Sequence, residues 1–534
     1  MRPLVIAIAA LGMGALCATP AAAKKRKVSI DPYIEVGQVV TADVNSSDVL
    51  TYTTVAAGVD ANAQTRRVQM QISYRYEHRF AEAGGIGNSN VHSGLARVNA
   101  KLVPGVSLEA GGLATRAHAD IRGSAPAQLT GNVGNTSQVY SVYGGPTVGT
   151  NLGPIGVSGG YRIGYTKVRA PTATGVDPTQ PALDVYDQST NQLAQASLNL
   201  KSGVVAPVGI TVSGAWERDD ASQLSQRYDG RYGRADVLWP VLPTFALTAG
   251  VGYEHIAVTQ RDALLNASGK PVVDTHGRFV EDPASPTRIA YKFDGLYYDA
   301  GVVWKPSPRT HAEVHVGRRY GSISYTGTLA FQPVHDAAVA VNVYDGVTTF
   351  GRQLRNGIAA LPTSFGNSAT AFGNDFNSCT FGNDGAAGGC LNSVFQSIST
   401  SAFRARGVDA VASITHGRVR FGGGAGYSNR KFLAPSTGAA FQINGVTDES
   451  YYAELFAADQ IADHTTIQGT VTANYYNSGV AGAKGIYSVG GTASLGRDFG
   501  HFSALGSFGA YTFAQANRPD TVVIEALISG RYHF

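Results

Sequence analysis

From Arg67 to Phe80 the chain alternates between apolar and polar positions. Val68, Met70, Ile72, Tyr74 and Tyr76 occupy one parity, and Arg67, Gln69, Gln71, Ser73, Arg75, Glu77 and Arg79 the other. Successive side chains of a strand point to opposite faces, so this spacing predicts a strand with one apolar and one strongly polar wall. The same period returns in Val157-Gly159-Tyr161-Ile163-Tyr165, Phe245-Leu247-Ala249-Val251-Tyr253, Val419-Phe421-Gly423-Ala425-Tyr427 and Ile467-Gly469-Val471-Ala473-Tyr475. One such segment is weak evidence. Its recurrence along a single chain predicts strands that face lipid on one side and a lumen on the other.

Turn signals separate these strands and alternate in length. Val103-Pro104-Gly105, Asn151-Leu152-Gly153-Pro154, Trp239 to Pro243, Lys305 to Thr310 and His416-Gly417-Arg418 form a short class, while Ala119 to Ser137, Arg169 to Asn191 and Ile256 to Pro286 form a long one. The expected fold is an all-β, antiparallel up-and-down transmembrane β-barrel of about 22 strands, within a range of roughly 18 to 24. Short turns would face the periplasm and long loops the outside. An even strand number keeps both ends of the barrel on the periplasmic side.

Composition agrees with this architecture. The 534 residues include 65 Gly, 26 Tyr and 21 Phe but are only 15% charged, against about a quarter in ordinary soluble domains. The formal net charge of +4 is too small a bias to indicate a nucleic-acid partner.

The N-terminus carries an export signal. Arg2 precedes an apolar run from Leu4 to Leu16 that ends in Ala21-Ala22-Ala23, which predicts a signal peptide over residues 1–23, cleaved after Ala23. The run is shorter than the roughly 20 residues of a spanning helix. Cys17 follows Leu16, where a lipid-attachment signal would need a small residue. Lys24-Lys25-Arg26-Lys27 then reads as a basic periplasmic leader over 24–32, with the barrel running from Tyr33 to Phe534. These features place the protein in the bacterial outer membrane, exported through the inner membrane.

Two stretches resemble known proteins. Val522, Ile524, Ala526, Ile528, Gly530, Tyr532 and Phe534 share one parity of the last strand. This segment resembles the C-terminal signal by which the barrel-assembly machinery recognises its clients, with Gly530, Tyr532 and Phe534 at the matching positions, which implies that machinery as a partner during biogenesis. Trp304-Lys305-Pro306-Ser307-Pro308-Arg309-Thr310, followed by Gly317-Arg318-Arg319-Tyr320-Gly321, resembles the barrel proteins associated with exopolysaccharide and exosortase (PEP-CTERM) systems. That resemblance implies the barrel fold and a link to polysaccharide export.

Residues 348–403 break the rhythm. This connection is the longest in the chain and holds Cys379 and Cys390, 11 positions apart in a Gly- and Asn-rich stretch. In an oxidising compartment the pair predicts a disulfide, which would contribute on the order of 3 kcal/mol by loop entropy. The segment has three possible dispositions: a constriction inside the barrel, an outward binding loop, or a stapled solvent-facing loop.

No catalytic constellation emerges. The chain lacks a phosphate-binding Gly-Lys-Ser/Thr loop, and Gly422-Gly423-Gly424-Ala425-Gly426 sits in a strand pattern, where glycines allow curvature or room in the lumen. His311, Glu313 and His315 share one strand face about 7 Å apart. They are read as lumen-lining and not as a metal site, because no further ligand accompanies them. No cofactor is indicated. The expected function is a pore for small solutes or an export-linked channel, with polysaccharide as a possible cargo. Arg67, Arg75, Glu77, Arg79, Arg162 and Glu254 would line its lumen and set a mild charge preference. The alternative is a surface receptor or scaffold with an occluded lumen. Energised uptake is disfavoured, since barrels of that kind carry a plug domain ahead of the first strand.

Overall fold

The computed structural model describes residues 27–534 except 46–48, 84–87, 124–134, 172–175, 177–179, 205, 367–375, 384, 397, 437–438, 440 and 518. The expected signal peptide and residues 24–26 of the leader lie outside the described residues. Among those described, 22 strands form one sheet, each paired antiparallel with its sequence neighbour. The first strand, Lys27–Asp43, also pairs with the last, Thr521–His533, through registers such as Gly37↔Ser529, and this closes the ring. Closure leaves no open edge, which is what a sheet needs in order to sit in lipid.

The alternation read from the sequence sets the two faces. On the strand Val68–Ala83, Tyr74 and Tyr76 are exposed while Arg75, Glu77 and Arg79 are buried. On Thr521–His533, Ile528 is 76% exposed and Glu525 1%. Exposed side chains here face outward and buried ones face the lumen. The exterior is therefore an apolar band bounded by aromatics. At one rim Tyr427, Tyr451, Tyr475 and Tyr487 form a continuous row across four neighbouring strands, with ring centroids 4.8, 6.0 and 4.5 Å apart. Trp239, Trp304, Phe421, Phe502 and Tyr532 are exposed toward the other rim. Rings at both interfaces with an aliphatic belt between them are the exterior of a membrane barrel.

Short turns such as Pro104-Gly105, Gly153-Pro154 and Gly417-Arg418 gather at the end that carries both chain ends, the periplasmic side by the usual asymmetry. Gly153 and Gly417, both at φ 62°, supply the left-handed backbone these two-residue turns require.

Three boundaries differ from the sequence expectation. The first strand starts at Lys27, not near Tyr33: residues 27–32 of the expected leader pair with residues 59–64, and Val28 and Ile30 continue the outward parity. Arg67 lies in the turn that precedes Val68 and is exposed, so it does not line the lumen. Its amide is held by Thr65 Oγ1 at 3.3 Å. The strand Arg227–Leu242 also runs through Pro240, leaving only residues 243–244 as its turn.

The connection between the strands Ala337–Thr348 and Ala402–His416 folds into the lumen. It contains the helix α1 (Phe350–Ala360) and a small hairpin of Cys379–Phe381 with Gly388–Cys390, in which Cys379 and Cys390 are bonded. The inward disposition is thus the one adopted.

Candidate functional site in the barrel lumen

The inner segment is held to the wall in two different ways. Phe350, Leu354 and Ile358 recur every four residues along α1 and pack with Leu361, Leu391, Val394 and Phe395 against Leu95, Leu113, Val139 and Val168 of the wall. This is a true apolar core, built between a helix and one side of a barrel whose lumen would otherwise be polar. Thr349 caps the helix by accepting from the Arg352 amide.

Polar wall side chains meet the segment's backbone. Arg97 donates to the carbonyls of Leu361 at 3.0 Å and Ala359 at 2.9 Å, satisfying orphan acceptors at the end of α1. Gln71 donates to Phe365 O and accepts from Phe365 N, both at 2.7 Å. Glu454 accepts from the Cys379 amide at 3.1 Å, and Arg420 donates to Phe381 O at 3.1 Å.

Charge is matched across the same interface. Glu217 of the wall accepts from both Arg352 and Arg355 of α1. Arg352 also stacks 3.7 Å from the Tyr228 ring centroid, and Arg355 donates to Asn191 Oδ1 at 3.0 Å. Burial pulls the Arg355 guanidinium down to about 10, with Asp219 acting in the opposite direction.

Glycines make the room. A β-carbon on Gly422 would come within 2.5 Å of the Phe381 ring, and one on Gly424 would collide with the disulfide sulfurs. The glycine run on Val419–Leu433 is therefore a seat for the hairpin, in accord with the reading that it makes space in the lumen.

The charged residues singled out in the sequence, Arg67 apart, all face inward and are paired. Arg75 bridges Glu35, at 2.9 Å, and Glu77, which also binds Arg79 at 2.6 Å. Arg162 contacts Glu109, and Glu254 contacts Arg319. His315 sits between two carboxylates, with Nδ1 3.0 Å from Asp299 and Nε2 against Glu313, whose other oxygen is 3.7 Å from His311. Both ring nitrogens of His315 thus point at carboxylate oxygens. Among the described residues no group of three or more His, Cys, Asp and Glu side chains could hold a metal ion.

Sequence reading missed Arg97, Glu217, Arg319, Arg352 and Arg355. The four-residue spacing of Phe350, Leu354 and Ile358 behind Thr349 was the available signal for α1. Nothing local marks which wall residues receive it.

The inner segment does not fill the ring. Between α1, the hairpin strand Gly388–Cys390 and the opposite wall lies a cleft of about 730 Å³, bordered by Gln195, Ser213, Tyr232, His311, Asn342 and Gln353 among others. That volume falls in the range of small-molecule sites.

A closed antiparallel ring with an apolar exterior, aromatic rims and a polar, partly filled interior defines the class: an integral β-barrel of the bacterial outer membrane. No protein-family model matches the chain, and no curated protein matches it. Among solved structures it is similar to the siderophore receptor PirA from Acinetobacter baumannii (9% identity, 95% of this chain and 81% of that one, TM-score 0.42). It is likewise similar to the FrpB iron transporter from Neisseria meningitidis (10% identity, 94% and 82%, TM-score 0.43), and to OccK5 (OpdH) from Pseudomonas aeruginosa (8% identity, 95% and 98%, TM-score 0.28). At such low identity and loose superposition these likenesses are of barrel architecture alone, and the class rests on the closure and exterior of this barrel itself.

Proposed function

We propose that the protein is a transport barrel in which residues 349–401 act as a built-in constriction, so that small solutes pass along the cleft beside it. The observation that carries this reading is the cleft: a 22-stranded ring encloses more space than its side chains can fill, and the inner segment occupies one side of it, leaving about 730 Å³ between mixed polar and apolar walls. A segment packed only for stability would have no reason to leave that space on one side.

Conductance in planar bilayers tests it. Deleting residues 372–394 removes both cysteines together and leaves no unpaired thiol. The unaltered protein should give small channels and the deletion larger ones that admit bigger sugars. A protein that conducts in neither form would defeat the channel reading and favour a surface receptor or scaffold with an occluded lumen.

The narrower link to exopolysaccharide rests on the resemblance over Trp304 to Thr310 and Gly317 to Gly321. These residues include the periplasmic turn at 308–309 and the outer turn at 320–321, the two ends of the strand Thr310–Arg319. The match follows a single strand from rim to rim, which supports a barrel and specifies no cargo. Insertion by the barrel-assembly machinery remains part of the proposal. Its support is the exposed, outward Tyr532 and Phe534.

A further inference from the structure

A membrane barrel should not present charge to lipid, because an exposed guanidinium is costly near the midplane and less so at the interfaces. One sector of this exterior nonetheless carries a concentration of cations. On the strand Gly209–Ala221 the outward parity ends in Trp216, Arg218 and Asp220, below which Glu217 and Asp219 face the lumen. On the adjoining strand Arg227–Leu242 the outward side chains include Arg227, Asp229 and Arg231, while Tyr228 is buried. Register places Arg227 opposite Asp220, Arg218 opposite Asp229 and Arg231 opposite Trp216, so the six side chains form one outward patch.

Its depth follows from neighbouring registers. Gly233, two residues from Arg231, pairs with Tyr253, whose exposed ring belongs to the outer aromatic rim. The arginines thus lie just beyond the tyrosines, toward the outside, at the level of lipid headgroups. Arg169 and Lys292, exposed near the outer ends of Ile155–Arg169 and Arg288–Ser307, flank the patch on either side. Around the ring the tyrosine level itself continues as the row Tyr427, Tyr451, Tyr475 and Tyr487.

The two carboxylates do not consume these cations. Asp220 is shared by Arg218 and Arg227, both at 2.6 Å, and Asp229 reaches Arg231 at 3.2 Å. The side chains of Arg227 and Arg231 remain 55% and 71% exposed. Three guanidinium forks are held by two aspartates, Arg218 through two nitrogens and Arg227 and Arg231 through one each. Planar, charged donors in that arrangement match the oxygens of phosphate monoesters.

We infer that this patch binds a phosphorylated glycolipid of the outer leaflet through its headgroup phosphates, with Arg218, Arg227 and Arg231 as the contacting residues. A lipid-borne phosphate is favoured over a free one because the patch faces sideways into the membrane rim, away from the lumen and the cleft.

The test uses the full-length purified protein in detergent and three probes: bis-phosphorylated lipid A, its dephosphorylated form, and inorganic phosphate. The unaltered protein should bind the phosphorylated lipid at least tenfold more tightly than the dephosphorylated one, and millimolar phosphate should not displace it. The triple variant R218S/R227S/R231S should lose that preference, and R218K/R227K/R231K should recover part of it. Equal binding of the two lipids by the unaltered protein would overturn the inference without recourse to any variant. Displacement by inorganic phosphate would overturn the lipid assignment, as would a correctly folded triple variant that keeps the preference.

Discussion

Gly424 of the barrel wall faces the sulfur of Cys379 with no room for a side chain between them. The contact joins a residue of the ring to a residue of the segment inside it, and makes the seating of the hairpin depend on the absence of one carbon atom. Gly424→Leu should therefore push the hairpin off the wall while leaving the outward face of the strand unchanged. Overpacking of this kind costs about 1–3 kcal/mol. The expected result is a larger single-channel conductance from a barrel that keeps its heat-modifiable mobility on gels. Unchanged conductance together with unchanged protease resistance of residues 377–392 would show that the hairpin is not seated there.

Arg97 anchors the other end of the segment. Arg97→Met keeps most of the side-chain volume but strips the donors from the carbonyls of Ala359 and Leu361. An orphaned buried acceptor costs about 1–3 kcal/mol, and the positive charge that complements the helix C-terminus is lost as well. Amide hydrogen exchange across Phe350–Ala360 should accelerate roughly ten- to a hundredfold, at about 1.4 kcal/mol per tenfold change. Protection that stays at its original level would place the anchoring elsewhere.

The two faces of the wall should respond oppositely to charge. Ile528→Lys puts an ammonium on a 76% exposed outward position of the last strand and should reduce the free energy of folding into bilayers by about 2–4 kcal/mol if it lies near the midplane. Gln195→Lys adds the same charge at the edge of the cleft, where water reaches it, and should change stability little. Refolding titrations in lipid vesicles compare the two directly. Similar losses for both would invalidate the assignment of faces.

Asp184 ties the outer loops to the end of the inner segment. Its Oδ1 accepts from Gln223 Nε2 at 2.8 Å and from the Phe279 amide at 2.9 Å, and its carbonyl accepts from Thr400 at 3.4 Å. Burial pushes its carboxyl up to about 7, against the pull of these donors and of Arg278. The folded carboxyl keeps its proton to about pH 7, whereas in an opened loop it ionises in the ordinary carboxylate range. Closure of the loops is therefore at full strength below about pH 4, weakens as pH rises toward 7 and levels off once the folded carboxyl has ionised. Protease cleavage of the 261–287 loop should become faster between pH 5 and 8 by more than the protease's own profile accounts for. Asp184→Asn should flatten that dependence. A variant that retains the original pH profile would remove Asp184 from the explanation.

The strand framework was readable because period-two alternation is a local property. Val68 to Tyr76 states its faces without reference to anything else in the chain. Ends were less legible for the same reason. No Gly or Pro marks the turn at Arg66 and Arg67, so parity alone assigns Arg67 to the lumen. At the other boundary the basic run Lys24 to Lys27 hides a strand start that the outward Val28 and Ile30 mark. The interior was the least legible. Whether residues 349–401 turn inward depends on Gln71, Arg97, Glu217 and Gly424, and on apolar wall residues as distant as Leu95, none of which differs from an ordinary lumen-facing residue until the segment is placed against it. The cysteines identified a staple and left open what it was fastened to.

Thr348 and Ala402, where the inner segment leaves and rejoins the wall, belong to strands that pair directly with one another through Thr348↔Phe403. The segment is consequently a tongue, attached along one side of a single rim. Such a tongue can enter a finished ring from that rim, because no chain end has to be threaded through the hoop. Closure of the ring and filling of its interior are thus separable events in assembly. The same geometry limits how the passage can widen: the tongue can lift or tilt about its attachment, but it cannot be expelled through the far end.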